Sequence, residues 1–346
     1  MFNEKQKGEY LQTDAAKRNS AQVVRSIKSL FDDIEWYERE CGTDICNTAP
    51  MKYPDIILQS RDVGRLSYLS NLNRMLLYYR DYCLAKGFVN AEAFLSQKTL
   101  PPKLSNRELM DRLIAYKAKN PTAEIKTPQK LYSLLKSVFR SSNYYDETTK
   151  TVTYDALYML MYMLTFFGID TCDLTLLKRD DVRIDGHVGV IIYKGNTYII
   201  TGESVEVLQH YLNATVIENV RQKRTIAKRI GVEYLFMTAD NSNHALGYRR
   251  HYQSMQLTVN NSGVKVPKLV DIAFRGHIYK MCVAAQKIVE QDNEYIPLEL
   301  TDDEIIKLYE ESNYIQNERP MNFQQRYEII CEFKNTYEYI KSNNMW

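Results

Sequence analysis

The sequence predicts a mainly α-helical protein with one small β-sheet. Across most of the chain, apolar side chains recur at three- and four-residue steps, the spacing that buries one face of a helix. The composition becomes β-rich in one main region, residues 188–201. Helices and strands do not alternate along the chain, which argues against a parallel βαβ architecture.

The first third of the chain predicts two long amphipathic helices. Ala21–Cys41 carries apolar side chains at helical steps, and Asp62–Lys86 repeats the pattern. Gly87 then provides a natural helix end, because glycine adopts a left-handed backbone at little cost.

The Pro101-Pro102 pair interrupts regular structure, Asn120-Pro121 interrupts it again, and both indicate where the chain divides. We place the domain boundary near residue 118. The first domain, 1–118, would hold an N-terminal extension, the two helices and the start of a basic linker. The second, 119–346, would end in an acidic segment.

Three further helices are predicted between residues 127 and 212, and more helices are predicted after Met237 to the end of the chain. Thr127 is a suitable N-cap for residues 127–139, since proline follows it at the first helical position. Tyr154–Phe167 has large apolar side chains on every face and should be buried all round. Val205–Leu212 returns to a helical pattern after the β-rich region.

The β-rich region predicts a hairpin. Val188–Tyr193 and Asn196–Thr201 are joined by Lys194-Gly195, a short turn sequence. Tyr234–Met237 is a second, shorter strand or turn. Residues 225–232 resemble the first helix and turn of a helix-turn-helix, but the β-rich segment that follows argues against that motif.

The composition excludes several classes of protein. Hydrophobic residues make up 45% of the chain and charged residues 25%, which is ordinary for a globular protein and unlike a disordered one. No apolar run reaches the length of a membrane-spanning helix, and the polar N-terminus lacks the apolar core of a signal peptide. We therefore expect a cytoplasmic protein without a membrane partner.

Cysteine and histidine do not predict a metal site. The six cysteines form no CxxC pair, and the five histidines do not complete a zinc-binding pattern. We expect reduced, buried thiols, no metal and no other cofactor.

The near-neutral net charge of +2 hides an asymmetry. Residues 290–346 contain 13 acidic and five basic side chains, a net charge of −8, which leaves +10 for residues 1–289. A basic body with an acidic tail is typical of a protein that binds a polyanion. Solvated helix faces would carry the same charges, so the pattern alone leaves both interpretations open.

The positive charge is clustered. Residues 99–140 contain nine basic and three acidic side chains, residues 221–229 contain five basic side chains, and residues 248–252 read Tyr-Arg-Arg-His-Tyr. Lys and Arg interleaved with Tyr suit contact with nucleic-acid phosphates combined with packing against sugars or bases.

An ordered series of local patterns resembles the tyrosine recombinases, the phage-integrase family. Its members here are KTPQKLYSLL (126–135), YMLMYMLTFFGIDTCDLTLLKRDDV (158–182), VGVIIYKGNTYIIT (188–201), EYLFMTADNSNHALGYRRHYQSM (233–255) and KVPKLVDIAFRGHIYKMCVAAQ (265–286). Residues 19–90 are compatible with the family's helical core-binding domain. The resemblance implies an integrase-like architecture, in which a core-binding domain and a catalytic-like domain clamp duplex DNA from opposite sides.

The resemblance assigns catalytic roles to positions that this chain has only partly kept. Asp170 stands where the family has its first arginine, and Ile272 stands where it has a histidine. Lys194 and Arg275 match the family's lysine and second arginine. Glu311-Ser312-Asn313 stands where a later Gly-His pair is expected.

The nucleophilic tyrosine is ambiguous. Tyr327 fits the family's sequence context best, although its spacing is long. Tyr314, Tyr337 and Tyr339 are competitors.

The resemblance therefore implies DNA binding without strand cleavage, because a carboxylate beside a phosphate repels it. We expect a sequence-specific repressor of transcription that binds operator sites on double-stranded DNA, in a bacterial cell. The lysogeny repressors of SPbeta-type temperate phages, which look like degenerate integrases, are a similar type. Self-association and a regulatory protein or peptide are further expected partners. The expected DNA contacts are Lys117, Lys119, Lys194, Lys223, Arg224, Arg249, Arg250 and Arg275.

Two other functions stay open at this point. The chain could be an active recombinase in which Arg179 or Arg183 replaces the missing arginine, or an interaction protein that no longer binds DNA. We also hypothesise that Asp170 and Arg275 form an ion pair that fills the former catalytic site.

Overall fold

A computed structural model describes residues 1–13, 21–61, 63–90, 104–119, 125–139, 144–219, 224–228, 233–236, 248–264, 266–292, 294–313 and 321–346. The chain divides into two compact units. Unit 1 comprises residues 1–121 and 322–328, and unit 2 comprises residues 122–321 and 329–346. The chain divides between residues 121 and 122, close to the boundary that the sequence predicts near residue 118.

Unit 1 is built from helices in its described part. They are α1 (Glu4–Leu11), α2 (Ala21–Asp33), α3 (Glu35–Cys41), α4 (Tyr53–Ser60), α5 (Leu66–Ala85) and α6 (Asn106–Lys119). The single helix expected over Ala21–Cys41 is wrong in one respect, because Ile34 leaves helical geometry and separates α2 from α3. The apolar spacing runs through this break, so periodicity alone does not reveal it.

The core of unit 1 contains a buried ion pair. Lys7 of α1 and Glu38 of α3 are both fully buried, and the Lys7 ammonium contacts the Glu38 carboxylate. The same carboxylate accepts a hydrogen bond from the Ile45 amide at 2.9 Å. Burial raises the pKa of Glu38 to about 7, although the Lys7 charge opposes the rise.

Unit 2 combines helices with two small sheets. Its helices are α7 (Pro128–Phe139), α8 (Tyr154–Phe166), α9 (Thr171–Leu174), α10 (Glu203–Asn213), α11 (Tyr248–Ser262), α12 (Leu269–Gln291), α13 (Asp302–Asn313) and most of α14 (Phe323–Asn343). Its strands are β1 (Tyr145–Asp146), β2 (Thr151–Thr153), β3 (Val182–Asp185), β4 (Val188–Tyr193), β5 (Asn196–Ile200), β6 (Val216–Asn219) and β7 (Arg224–Lys228). Mainly helical structure with little sheet is confirmed.

Several predicted elements are confirmed in detail. The Thr127 hydroxyl accepts a hydrogen bond from the Lys130 amide at 3.3 Å, as an N-cap residue should. Helix α8 is buried at every position from Ala156 to Phe166. The β4–β5 hairpin turns at Lys194 and Gly195, both with positive φ, 50° and 78°.

The prediction of one sheet is wrong, because the described residues form two. The β4–β5 hairpin gains β3 in a three-stranded antiparallel sheet. The second sheet has the order β1-β2-β6-β7, with a parallel pair between β2 and β6. Strand β7 covers Arg224–Lys228, so the described part of the segment that resembles the start of a helix-turn-helix, residues 225–228, is extended instead.

The central packing of unit 2 depends on a glycine. Helices α8 and α12 pack together, and Gly276 of α12 faces the backbone of Phe166. A Cβ atom placed on Gly276 would lie 1.7 Å from the Phe166 carbonyl oxygen. The two helices therefore approach backbone to backbone at this point.

Helix α14 begins in unit 1. Its residue Glu328 is buried, and the carboxylate accepts a hydrogen bond at 2.9 Å from the amide of Leu66, the first residue of α5. This carboxylate thus caps the positive end of α5 and also lies 3.5 Å from the Arg65 Nε atom. In the part of the chain that the structure describes, none of the helices has the length and apolar character needed to cross a bilayer.

Candidate functional site

The end of α8 positions Asp170. The Gly168 and Ile169 amides donate to the carbonyls of Thr165 and Leu164, both at 3.0 Å, which is the double hydrogen bond of a Schellman helix end. Gly168 has φ of +96°, a conformation that a side chain would strain. The chain then turns into α9, where the Asp170 carboxylate accepts from the Cys172 amide at 2.7 Å. Asp170 is therefore held as a helix N-cap.

Lys194 lies at the tip of the β4–β5 hairpin and forms an ion pair. Its Nζ atom is 2.7 Å from the Oδ1 atom of Asp173, which belongs to α9. This hydrogen bond raises the pKa of the exposed Lys194 side chain. The lysine that the resemblance assigns to protonation of a leaving oxygen is thus engaged with a carboxylate.

Tyr198 of β5 belongs to the same cluster. Burial is the main cause that raises its pKa, and the nearby Asp173 and Asp170 carboxylates add to the rise. The Nζ atom of Lys280 lies 5.3 Å from the centroid of the Tyr198 ring, a cation–π contact. Two acids, two lysines and a tyrosine are therefore brought together beside the end of α8.

Lys280 and His277 approach the backbone at Gly168. A Cβ atom on Gly168 would lie 2.7 Å from the Lys280 Nζ atom and 3.9 Å from the His277 Nε2 atom. The other ring nitrogen of His277 is 3.4 Å from the Tyr309 hydroxyl. The absence of a side chain at residue 168 leaves the space that the Lys280 ammonium occupies.

The two residues of α12 that the resemblance aligns with the family's histidine and second arginine differ in their surroundings. Ile272 is fully buried in the apolar core. Arg275 is half-buried and engaged in other contacts. The hypothesis of an Asp170–Arg275 ion pair is wrong, since no such pair forms between these two described side chains and Asp170 caps α9 instead.

The tyrosine candidates belong to different parts of the fold. Tyr327 is assigned to unit 1, whereas Asp170, Lys194 and Arg275 belong to unit 2. The Tyr327 ring stacks on Phe323, with centroids 6.2 Å apart. Tyr337 is buried in unit 2 and donates its hydroxyl proton to the Gln286 side chain at 3.0 Å. Tyr314 lies outside the described residues.

Two polar residues that the sequence analysis named, Arg179 and Asn313, donate hydrogen bonds to backbone carbonyls. The Arg179 guanidinium donates to the Leu212 carbonyl at 2.6 Å, near the end of α10. Asn313 donates to the carbonyls of Tyr309 and His277, at 2.9 and 3.3 Å. The Arg179 side chain therefore contacts the carboxyl end of α10.

Most of the predicted DNA contacts lie where side chains are not described. Lys223 is outside the described residues, and Arg224 belongs to β7. Arg249 and Arg250 fall on α11, and Lys117 and Lys119 fall on α6, each with the backbone alone described. Their roles stay predictions.

Sequence reasoning missed Asp173, Tyr198, His277 and Lys280. Asp173 could have been found, because it lies one helical turn after Asp170 on α9. Lys280 also has a signal, since it is a charged residue inside the apolar run of α12. Tyr198 and His277 carry no pattern that separates them from other β-strand or helix residues.

No family model matches this chain, and no curated protein matches it either. Among the described residues, no group of three or more His, Cys, Asp or Glu side chains could hold a metal ion.

Proposed function

We propose that this chain binds double-stranded DNA through its phosphates on a tyrosine-recombinase-like architecture, does not cleave the strands, and represses transcription. The proposal combines the ordered resemblance of residues 126–286 with the charge asymmetry of the chain. It also draws on the acid–lysine cluster at the end of α8.

The observation that carries the loss of cleavage is the environment of Lys194. The Asp173 carboxylate forms an ion pair with Lys194. A second carboxylate, Asp170, stands where the resemblance expects an arginine. Removing a single group that stabilises transition-state charge typically costs about 10²–10³-fold in rate. Asp170, in place of an arginine, turns attraction of the scissile phosphate at that position into repulsion and adds to that loss.

Duplex binding rests on a different property, the net charge of +10 over residues 1–289. Phosphate contacts from lysine and arginine supply most non-specific affinity and do not require a catalytic set. DNA binding can therefore persist in a chain that has lost the chemistry.

Affinity for duplex DNA is expected to fall steeply with salt. Six neutralised phosphates would lower affinity by roughly 10³-fold between 50 and 200 mM salt, since log K falls by about 0.9 per contact for each tenfold rise in salt. The measurement is a gel shift or fluorescence anisotropy titration at four salt concentrations. An affinity that does not depend on salt would contradict the proposal.

A variant pair identifies the surface involved in this titration. Arg249→Gln combined with Arg250→Gln should reduce the salt slope by about two, because two phosphate contacts are lost. Lys307→Gln is the matched control, since Lys307 is exposed in the acidic segment and pairs only weakly with Glu311 at 3.8 Å.

Capture of genomic fragments bound by the protein should recover promoters. Recovery of one attachment site alone would favour a recombinase.

A further inference from the structure

Lys280 places a half-buried ammonium in the cluster at the end of α8. Helix α12 directs its side chain over Gly168, and the Tyr198 ring supports the ammonium through a cation–π contact. Burial lowers the pKa of Lys280, and no nearby carboxylate offsets that effect. The structure thus holds a cation where desolvation disfavours one.

The two carboxylates of the cluster do not neutralise Lys280. Asp173 pairs with Lys194, and the Asp170 carboxylate receives the Cys172 amide. Within the ranges that the structure describes, Lys280 forms no ion pair with any side chain. Its neighbours are instead an aromatic face, the Gly168 backbone and the His277 ring.

A desolvated ammonium without a counter-ion is unfavourable, so buried lysines are normally paired with an acid or with a bound anion. A cation–π contact compensates only part of the lost hydration. A ligand that brings a negative charge to Lys280 would compensate the remaining loss of hydration. A phosphodiester oxygen suits this role because it accepts hydrogen bonds from an ammonium and carries a full charge.

We propose that Lys280 receives a backbone phosphate of bound duplex DNA and so acts as the phosphate-contacting cation of this cluster, in place of the engaged Lys194. The inference rests on the proposed function, since it assigns a ligand to a residue of that site. It differs from the contacts expected from sequence, which include Lys194 and omit Lys280.

The test replaces Lys280 with methionine and measures two properties of the full chain. Affinity for duplex DNA should fall roughly eightfold at 0.1 M salt, and the salt slope should decrease by about one, the values for one lost phosphate contact. The thermal midpoint of the free protein should stay the same or rise, because methionine has no charge to desolvate. A purely structural lysine would not give this combination.

Two further variants serve as controls. Lys287→Met removes a charge from an exposed position on the same helix and should leave affinity and slope unchanged. Lys280→Arg keeps the charge and should retain most of the slope. A Lys280→Met protein that binds DNA with unchanged affinity and slope would overturn the inference while leaving the proposed function intact.

The source of the phosphate is tested separately from DNA binding. Inorganic phosphate, added at constant ionic strength, should stabilise the wild-type protein only weakly. Strong stabilisation that disappears in Lys280→Met, combined with an unchanged DNA salt slope in that variant, would assign the lysine to a free phosphate and overturn the inference. A wild-type chain that does not bind duplex DNA at low salt would instead refute the proposed function.

Discussion

Replacing Gly276 with alanine is expected to lower the free energy of unfolding of unit 2 by roughly 3 kcal/mol or more. The new methyl group would lie 1.7 Å from the Phe166 carbonyl oxygen, much closer than atoms approach. The obstruction is backbone rather than a flexible side chain, so α8 and α12 must separate to admit it. Urea unfolding followed by circular dichroism measures the loss.

Gly8→Ala is the matched control for this substitution. Gly8 lies inside α1, and a Cβ atom there would meet no other atom within 4 Å. Alanine should therefore stabilise α1 by about 0.5–1 kcal/mol, because glycine costs that much in a helix interior. A Gly276→Ala protein with stability within 1 kcal/mol of the wild type would contradict the close packing of α8 and α12.

Replacing Lys7 with methionine is expected to destabilise unit 1 by about 3–5 kcal/mol at pH 8, the usual cost of leaving one partner of a buried ion pair alone. Both side chains are fully buried, so water cannot replace the lost ammonium. The double variant Lys7→Met with Glu38→Leu should recover most of the loss, since it removes both charges. A double-mutant cycle of unfolding free energies measures the coupling between the two residues.

The effect of Lys7→Met should depend on pH in a defined direction. The folded-state pKa of Glu38 is raised to about 7 from its ordinary 4.5 by burial. A raised carboxyl pKa contributes stability that is present below about pH 4.5 and is lost as the pH rises through 7. Protonated Glu38 needs no ammonium, so the destabilisation should be small at pH 5. An equal loss at pH 5 and pH 8 would contradict this account.

Elements with strong local signals could be predicted from the sequence. Helix α8 has apolar side chains on all faces, which fits only a buried helix, and the β4–β5 hairpin has a turn sequence that its Lys194-Gly195 geometry satisfies. The Thr127 N-cap is likewise a local feature. In each of these, the residues that set the structure are near one another in the chain.

Elements fixed by distant residues could not be predicted. Strand β2 has three residues and pairs with β6, more than sixty positions later, so neither strand is long enough to show a period. Residues 224–228 have a helix-like composition, but pairing with β6 holds them extended. Ile34 breaks a helix without any change in the apolar spacing.

The candidate site shows the same contrast. The sequence placed Asp170 and Lys194 through the order of motifs, because each lies at a recognisable helix end or hairpin turn. It paired Asp170 with the wrong partner, since the N-cap bond to the Cys172 amide depends on local backbone geometry. It missed Lys280 because the fold brings α12 against Gly168.

Duplex binding without strand cleavage can be tested with a nicked suicide duplex that carries a captured binding site. The same incubation is run on a native gel and on a denaturing gel. We expect a shifted complex on the native gel and no protein–DNA species after denaturation. A covalent adduct that survives denaturation and disappears in Tyr327→Phe would show that this chain cleaves DNA.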